Sequence, residues 1–536
     1  RLPLPDTVPL KPRSEWRLLG RDASRVEAAD KVTGRALFGF DVTVPGLKTV
    51  LIARAPRFGA VLEAWDDTAA RRVPGVLAVV PVWSGVAVVA EGFLAAQRGR
   101  EALVTRWSPG PIADWDEARI DAVFAEAIAA PGLSAQQSGD FAAAWTDAAR
   151  RIEATFDLPY LAHACMEPLN ATAWLRHDGM LEVWAPTHFP GPDRDAAAQV
   201  AGLSLERVIL HPCLMGGSFG RKAAATSDFV REAVDVARQV KWPVKVVWTR
   251  EDDLRGGFYR PRVKARVRLA LAADGALAGW GIDTAGQRMS TTGSFASDPT
   301  QVEGSMVEGL TEPGYAIPHR EVVWHEVKAG PTVQWWRSVG HSTAGFIKEC
   351  AIDLAAEAAG VDPLLFRERL LADAPRALTV LRTLREVAEW GRPAPGRFQG
   401  VAFHESFGTL VGQVVDVSVG PQGEPKVHRV VCVVDCGWVV NPIGAKAQVM
   451  SSVIFGLSAA LYGRIDVRGG ATANGNFHDY PVMRLPEAPV VETVFVESDG
   501  PLSGLGEPGL PPVAAALANA WFKATGKRVT RLPFVG

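Results

Sequence analysis

Short apolar segments typical of β-strands alternate with helical segments along almost the whole chain. A strand pattern is seen at residues 151–160 (RIEATFDLPY), and helices are predicted at residues 227–240, 344–359 and 376–391, the first of them with an apolar stripe. A helix with one apolar stripe must cover a sheet or another helix. Strands and helices mixed in this way, with no internal repeat, predict a large α+β protein.

The composition is that of a globular protein with several domains. The 536 residues have a net charge of −2, with 48% hydrophobic and 22% charged residues. Lysine and arginine do not form a basic stripe, so nucleic acid is not an expected partner.

The longest apolar run, residues 75–96, is interrupted by polar and helix-breaking residues such as Pro81 and Glu91. The run is also rich in valine. We therefore predict two short strands followed by a helix from Glu91 to about Trp107, and no transmembrane helix.

The five cysteines are scattered and do not suggest a metal cluster. They are Cys165, Cys213, Cys350, Cys432 and Cys436. Cys432 and Cys436 are the closest pair, but four residues of a strand span about 13 Å, which is too far for a disulfide. No spacing fits an iron–sulfur cluster, so we expect buried free thiols and no cluster in this chain.

A single carboxylate, Glu507, stands in a loop rich in glycine and proline, just before an apolar helix. We predict this helix over residues 513–527 with Pro512 as its first position, so Glu507 lies outside the reach of the helix dipole. Gly504 and Gly506 permit positive φ and a close approach of the backbone to a ligand. A carboxylate held on such a loop suits acid–base chemistry, and a structural acid in a turn is the alternative.

The segment LMGGSFGRK, residues 214–222, follows a strand pattern, and its glycines expose N–H groups that can cradle an anion or a cofactor. Gly216–Ser218–Gly220 also matches the GxSxG pattern of a nucleophile elbow, so a serine hydrolase with Ser218 as nucleophile is the alternative enzyme class. The elbow requires a helix to begin at once, whereas RKAAAT intervenes here. A plain glycine turn is the simplest interpretation of the segment alone.

Two further groups have both a functional and a structural interpretation. His163, Cys165 and Glu167 share one face if their segment is a strand, which could bind a soft metal. No second cluster supplies the remaining ligands, so a satisfied core histidine is favoured. Arg337 precedes a helix and suits a phosphate, or it is a surface arginine stacked on Trp336.

Five strings, in this order, resemble the molybdenum hydroxylases, the superfamily of xanthine dehydrogenase and aldehyde oxidoreductase. The likeness is greatest to the large (beta) subunits of the isoquinoline 1-oxidoreductase type and their aldehyde-oxidising relatives. The strings are GGSFGRK (216–222), WRSVGHS (336–342), VVDCGWVVNP with AQV (433–442 and 447–449), FHDYP (477–481) and GLGEPG (504–509).

The resemblance implies an α+β fold in which an α/β-hammerhead domain precedes two molybdopterin-binding domains. The expected ranges are 1–20 for an N-terminal extension, 21–110 for the hammerhead domain, 111–145 for a linker, 146–372 for the first molybdopterin-binding domain and 373–536 for the second.

The resemblance also implies a catalytic subunit that hydroxylates an aldehyde or an N-heteroaromatic C–H with oxygen from water. Its cofactor would be molybdopterin cytosine dinucleotide with molybdenum, the metal being held by the pterin and by no protein side chain. Glu507 falls on the position of the family's general base. The cofactor-binding positions implied are Gly217, Ser218, Phe219, Gly220, Arg337, Ser338, Val339, Gln448, Gly504, Leu505 and Gly506.

Departures from the family pattern bear on the substrate. Purine-oxidising relatives place a glutamate where Ala223 stands and a glutamine near the metal where Leu161 stands. Both polar groups are absent, which argues against a purine. Gln448 is followed by Val-Met-Ser-Ser where relatives usually have QxEGG, so the contacts of this turn are expected to differ.

The resemblance finally implies partners. Electrons would pass to a small subunit with 2Fe–2S clusters, and a cytochrome c is an additional candidate. Relatives carry a Gly-Gln-Gly loop in a segment before the part that matches residues 3–20, and no glutamine here has glycine on both sides. A further chain is therefore expected to supply that segment. Export signals of relatives suggest a periplasmic or inner-membrane-surface location, with the cytoplasm as alternative. The non-enzyme alternative is a scaffold of the same fold without cofactor.

Overall fold

The computed structural model describes residue 5 and residues 7–289, 296–328 and 330–534. Its α-helices are α1 (Ala28–Val32), α2 (Phe93–Glu101), α3 (Glu117–Ala129), α4 (Phe141–Asp147), α5 (Pro190–Ala201), α6 (Asp228–Ala237), α7 (Arg250–Arg255), α8 (Gly304–Val307), α9 (His341–Ala359), α10 (Pro363–Leu370), α11 (Pro375–Val387), α12 (Pro442–Tyr462) and α13 (Val513–Thr525).

The strands of the described residues are β1 (Lys48–Arg54), β2 (Leu62–Asp66), β3 (Val76–Val82), β4 (Gly85–Ala90), β5 (Val104–Trp107), β6 (Leu133–Ser138), β7 (Arg150–Leu158), β8 (Asn170–Leu175), β9 (Leu181–Ala185), β10 (Val208–Pro212), β11 (Val244–Val247), β12 (Val263–Leu271), β13 (Leu277–Gly286), β14 (His319–Glu326), β15 (Phe398–Ser406), β16 (Thr409–Val419), β17 (Pro425–Asp435), β18 (Val467–Arg468), β19 (Ala471–Thr472) and β20 (Val490–Phe495). The mixture of sheets and helices confirms the predicted α+β class.

The first sheet joins N-terminal strands to strands from further along the chain. Its order is β10-β9-β8-β11-β1-β4-β3, and β1 pairs parallel with β11 and antiparallel with β4. Helix α6 covers the sheet with the predicted apolar stripe, in which Phe229, Val230 and Ala233 are buried. Strands β1, β3 and β4, from residues 48–90, are thus built into one sheet with strands from residues 170–247, whereas β2 and β5 pair with each other in a separate two-stranded sheet.

The second sheet has the order β6-β14-β13-β12-β7. Strand β6 pairs antiparallel with β14, and β6 lies within the stretch 111–145 that was predicted as a linker around a short helix. That stretch holds the predicted helix, α3, but it also contributes an edge strand to a sheet, so it is more than a linker. The register is fixed by pairs such as Gln136 with Val322.

The third sheet, β15-β16-β17-β20, shares one hydrophobic core with the second sheet. Helices α9 and α13 contact each other in this core, and α13 also contacts β15 and β16. Phe346 on α9 meets Phe156 of the second sheet edge to face, with ring centroids 5.9 Å apart. Because both helices lie in this core, the loops that precede them are brought together.

Two predicted helix limits are wrong. The helix expected from Glu91 to about Trp107 ends at Glu101, and Val104–Trp107 pairs with β2 instead, because β-branched Val104 and Thr105 favour a strand. The last helix begins at Val513, the start of its predicted range, but ends at Thr525 instead of residue 527, and Pro512 is its N-cap and not its first helical residue.

The run 75–96 forms β3, β4 and the start of α2, as predicted. Helix α12, however, is long and apolar enough to cross a membrane when judged by length and composition alone. Val449, Val453 and Leu457 of α12 are buried in the main core, and the helix packs against α13 and β20. We therefore assign α12 to the globular body.

Candidate active site

A cleft of about 830 Å³ lies where three loops meet. They are the glycine loop (residues 216–222), the arginine loop (334–340) and the glutamate loop (501–512). The cleft is lined by nine of the residues predicted from the sequence, namely Gly217, Ser218, Phe219, Gly220, Arg337, Val339, Gln448, Gly506 and Glu507. The other three, Ser338, Gly504 and Leu505, belong to the same loops but do not line the cleft.

Glu507 is half-buried and is held through one of its two carboxylate oxygens. The backbone N–H of Ser338 donates to Oε1 of Glu507 over 2.8 Å. The backbone carbonyl of Glu507 accepts the Ser338 hydroxyl at 2.9 Å and the N–H of Leu510 at 3.0 Å. No described residue donates to Oε2, so this oxygen is available to accept a proton in the cleft.

Arg337 joins the glutamate loop to helix α12. Its buried guanidinium donates from Nε to the Gly506 carbonyl at 2.7 Å and from Nη1 to the Ser451 hydroxyl at 3.0 Å, and its Nη2 lies 3.4 Å from Oε1 of Gln448. Burial lowers the pKa of Arg337 to about 10, partly opposed by Glu507, and the side chain stays positive at neutral pH. Arg337 fixes the segment immediately before Glu507.

The structural alternative for Arg337, a surface arginine stacked on Trp336, is wrong. Arg337 is 7% exposed, and it is the guanidinium of Arg260 that lies over the Trp336 ring, 5.6 Å from its centroid. The functional interpretation was that Arg337 binds a phosphate. Its guanidinium N–H groups already donate to acceptors of the protein, so few of them remain for a phosphate.

The backbone strain of the site lies on residues other than those expected. Phe219, Ser338 and Val339 have φ values of 52°, 74° and 49°, a region that non-glycine residues seldom occupy and that clusters at functional sites. Gly504 and Gly506, which permit positive φ, do not adopt it here. A Cβ atom added to either would meet nothing within 4 Å, so the backbone there borders open space.

Glycine is required at Gly220 for two reasons. Its φ is 113°, and a Cβ atom there would lie 2.2 Å from the Trp335 carbonyl oxygen. The residue before Gly220, Phe219, is part of an aromatic stack. Its ring packs on Phe455 with ring centroids 4.3 Å apart, and Phe455 packs on Trp336 with ring centroids 4.7 Å apart. Phe219 is thereby held as an apolar surface of the cleft.

The glycine loop is not a nucleophile elbow. After Gly220 the chain forms a short 3₁₀ turn, Arg221–Ala223, and α6 begins only at Asp228. Ser218 is 5% exposed, and its hydroxyl accepts the N–H of Lys222 at 3.0 Å. The local geometry therefore does not expose this serine as a nucleophile.

The His163 segment is irregular and not a strand, since β8 begins only at Asn170. Nε2 of His163 lies 2.9 Å from the Trp335 carbonyl, and burial lowers the pKa of His163 to about 3, so it is a satisfied neutral core histidine, as favoured. Among the described residues, no group of three or more His, Cys, Asp and Glu side chains is arranged to hold a metal ion.

Glu167 has a role that the sequence did not reveal. Its Oε2 accepts the N–H of Gly216 at 2.7 Å and the buried ammonium of Lys222 at 2.8 Å, so one carboxylate oxygen binds both ends of the glycine loop. Oε1 accepts the N–H of Phe40 at 3.1 Å, which attaches an N-terminal segment to the same point. Glu167 is the anchor of the loop that carries Phe219.

Comparison with known proteins gives the family. Two family models, each described as a molybdopterin cofactor-binding domain, match residues 125–371 and 382–489. The beta subunit of isoquinoline 1-oxidoreductase from Brevundimonas diminuta is 31% identical over 557 residues, covering 99% of this chain and 70% of that protein. The chain belongs to the molybdenum hydroxylase family. The comparisons thus confirm the resemblance seen in the sequence.

Two further similarities agree with this family. One of the subunits of nicotinate dehydrogenase from Pseudomonas putida is 30% identical, covering 99% of this chain and 47% of that protein, so the chain spans about half of that relative. The solved structure of quinoline 2-oxidoreductase from Pseudomonas putida 86 superimposes with a TM-score of 0.81 at 14% identity, covering 97% of both chains. The chain is a molybdopterin cofactor-binding subunit of an oxidoreductase, and the serine hydrolase alternative is not favoured.

Proposed function

We propose that the chain catalyses the hydroxylation of an aldehyde or an N-heteroaromatic C–H with oxygen from water. The observation that carries the proposal is the arrangement of Glu507, which is held at Oε1 by Ser338 and presents Oε2 to a cleft of about 830 Å³. A carboxylate fixed through one oxygen and open at the other suits general-base catalysis.

The residues of the cleft fit a pterin cofactor that brings its own metal. The described side chains offer no metal-ligand cluster, and the backbone at Gly504 and Gly506 borders open space. The bound cofactor would supply a molybdenum centre that takes two electrons from the substrate. Gly217–Gly220 and Gln448 would border the cofactor, and we propose the cytosine dinucleotide form.

The chain's own contribution is positioning and proton transfer. Oε2 of Glu507 accepts the proton of the water-derived oxygen, while the Ser338 N–H keeps the carboxylate in place. Arg337 holds the loop at Gly506, and Phe219 with its stacked neighbours excludes water and offers an apolar face to the substrate. Holding the base and the substrate in a fixed geometry lowers the barrier to proton transfer, because less orientational freedom is lost during the reaction.

The apolar character of two positions favours substrates other than purines. Ala223 lines the cleft and is 7% exposed, whereas Leu161 is 1% exposed and packs behind it with Trp336 and Leu510, and neither side chain can donate or accept a hydrogen bond. Purine oxidation in relatives uses polar side chains at these positions. We therefore propose an aldehyde or an N-heteroaromatic as substrate.

We propose that the assembly has further members. The five thiols of this chain are free, so electrons would leave through a separate subunit with 2Fe–2S clusters, and then to a cytochrome c. Ile443 and Met450 of α12 are exposed on the helix that carries Gln448, which supports cover by another chain or segment that bears the Gly-Gln-Gly loop. We also propose that residues 21–110 form the hammerhead domain and that the enzyme works in the periplasm or at the inner-membrane surface.

The proposed function is tested by analysing the purified assembly for molybdenum and for the nucleotide released from the cofactor on hydrolysis. We expect one molybdenum and one cytidine nucleotide per chain, together with oxidation of an aldehyde or an N-heteroaromatic by an artificial electron acceptor. A native assembly without molybdenum, or a molybdenum-loaded assembly that oxidises neither class, would contradict the proposal.

A further inference from the structure

His188 lies in the wall of the same cleft as Glu507, and no sequence motif pointed to it. It follows β9 and precedes α5, and its backbone N–H donates to the Lys222 carbonyl at 3.1 Å. This bond ties the backbone of His188 to the end of the glycine loop. The ring is therefore placed by the same loop that carries Phe219.

The contact between Ser218 and His188 is the basis on which we assign the ring proton of His188 to one nitrogen. The Ser218 hydroxyl oxygen accepts the N–H of Lys222 at 3.0 Å and lies 3.3 Å from Nδ1 of His188. In the part of the chain that the structure describes, no other group accepts a hydrogen bond from this hydroxyl, so we assign its hydrogen to Nδ1. A neutral imidazole that accepts at Nδ1 carries its own proton on Nε2.

The surroundings of the ring favour its neutral form. Partial burial and the positive charge of Lys222 lower the pKa of His188 below 6.5, although Glu507 acts in the opposite direction. A neutral N–H donor binds the lone pair of an uncharged acceptor and gives no particular advantage to an anion. His188 thus adds a hydrogen-bond donor to a cleft in which the proposed general base, Glu507, is a hydrogen-bond acceptor.

We propose that His188 is a specificity-determining residue whose Nε2–H donates to the acceptor atom bonded to the reacting carbon. That atom is the ring nitrogen of an N-heteroaromatic or the carbonyl oxygen of an aldehyde, so the inference rests on the proposed function and extends it. The hydrogen bond turns the reacting carbon toward the site of attack and withdraws electron density from it. The proton stays on the ring, and no covalent bond forms at His188.

The test compares two ligands of the same shape. Equilibrium binding of isoquinoline and of naphthalene is measured on the molybdenum-loaded assembly after chemical reduction, so that the metal cannot take electrons from the ligand during the measurement. We expect isoquinoline to bind on the order of fivefold more tightly, as one neutral hydrogen bond provides. The ratio falls to about one in His188→Phe and is partly restored in His188→Gln, whose amide N–H reaches the position of the ring Nε2.

A matched control and a second pair complete the design. His478→Phe changes a histidine whose side chain is 79% exposed and that does not line the cleft, and it keeps the wild-type ratio. Benzaldehyde and styrene form the corresponding pair for a carbonyl acceptor. The pair whose preference for the ligand with the acceptor is lost in His188→Phe identifies the atom that His188 binds. Equal binding within both pairs by the wild type, or a preference that survives His188→Phe in both pairs, would overturn the inference.

Molybdenum content and turnover are measured on the same samples. An assembly that holds no molybdenum or oxidises neither substrate class fails the proposed function, whereas the binding ratio alone decides the role of His188. The two failures are therefore distinguishable.

Discussion

Ser338 binds Glu507 twice, with its backbone N–H on Oε1 at 2.8 Å and its hydroxyl on the Glu507 carbonyl at 2.9 Å. The two residues belong to loops that precede α9 and α13, two helices packed in one core. Since Ser338 itself has a φ of 74°, the backbone conformation that aims this N–H is imposed by its surroundings. The position of the Glu507 carboxylate is thus set by a fixed backbone group.

Replacing Arg337 by lysine should displace Glu507 without removing any group that accepts the proton. Lysine keeps the charge but cannot bind the Gly506 carbonyl and the Ser451 hydroxyl in the fork geometry of arginine. We expect kcat to fall by about 10²-fold, the cost of a small misplacement of a catalytic group, with molybdenum content retained. Arg392→Lys, at an exposed position, is the control and keeps wild-type kcat. Wild-type kcat in Arg337→Lys would remove Arg337 from the account.

Glu167→Gln should destabilise the protein because it leaves the buried ammonium of Lys222 without a counter-charge. Removal of one partner of a buried ion pair costs about 3–5 kcal/mol. Glu126→Gln, which breaks the exposed pair with Arg119, should cost less than about 1 kcal/mol. Thermal unfolding reports both. A double variant with Lys222→Met should recover part of the loss, and equal melting temperatures for Glu167→Gln and Glu126→Gln would contradict the prediction.

The same pair gives a dependence on acid. Burial by itself raises the pKa of Glu167, but Lys222 and the N–H of Gly216 outweigh burial and hold this pKa below 4.5. A lowered folded-state pKa contributes stability above the unfolded-state value, and this stability is lost as the pH falls through the folded-state value. The melting-temperature difference between wild type and Glu167→Gln should therefore shrink below pH 4.5.

Glu308 should show the opposite dependence on pH. It accepts the Gly340 N–H at 2.7 Å, and burial, helped by the charge of Glu507, raises its pKa to about 7. The folded protein resists ionising this group, so stability is lost as the pH rises from about 4.5 to 7, by at most about 3 kcal/mol. Glu308→Gln keeps the acceptor and should melt at the wild-type temperature at pH 4.5 but above it at pH 8. The same melting-temperature difference at both pH values would refute this.

The isolated chain should contain no iron. Burial raises the pKa of Cys165 to about 12 and shifts the thiols of Cys213, Cys350, Cys432 and Cys436 in the same direction. Only a thiolate ligates an iron–sulfur cluster. Iron analysis of the assembly before and after separation of its chains should place all the iron with the smaller chain. Stoichiometric iron in this chain would contradict the expected electron path.

The overall class of the fold follows from the sequence because the stripe of α6 and the valine-rich strands allow few arrangements. The sequence does not reveal that strands of the N-terminal region and strands of residues 170–247 share one sheet, because pairing between distant strands leaves no local pattern. The end of the helix after Glu101 was predicted wrongly for a similar reason. The last residues of the helical pattern also suit a strand, and their pairing with β2 decides that they form one.

The residues of the site could be predicted from sequence motifs, but the geometry in which they are arranged could not be predicted. Residue type shows only where positive φ is permitted, as at Gly504 and Gly506, yet it is Phe219, Ser338 and Val339 that adopt it, because tertiary contacts impose it. The direction of Arg337, toward the Gly506 carbonyl, depends on a contact between residues distant in sequence. Glu167 was considered only as a metal ligand beside His163 and Cys165, and His188 was not singled out at all, so only their positions in space reveal the contacts that they make.

Glu507→Gln tests the central claim most directly. Glutamine keeps the oxygen that accepts the Ser338 N–H and the shape of the side chain, but it cannot take up a proton. We predict a fall in turnover of about 10²–10⁴-fold or more with molybdenum content unchanged, while Glu312→Gln, at an exposed acid, turns over at the wild-type rate. Turnover near the wild-type rate by a molybdenum-loaded Glu507→Gln enzyme would contradict the account.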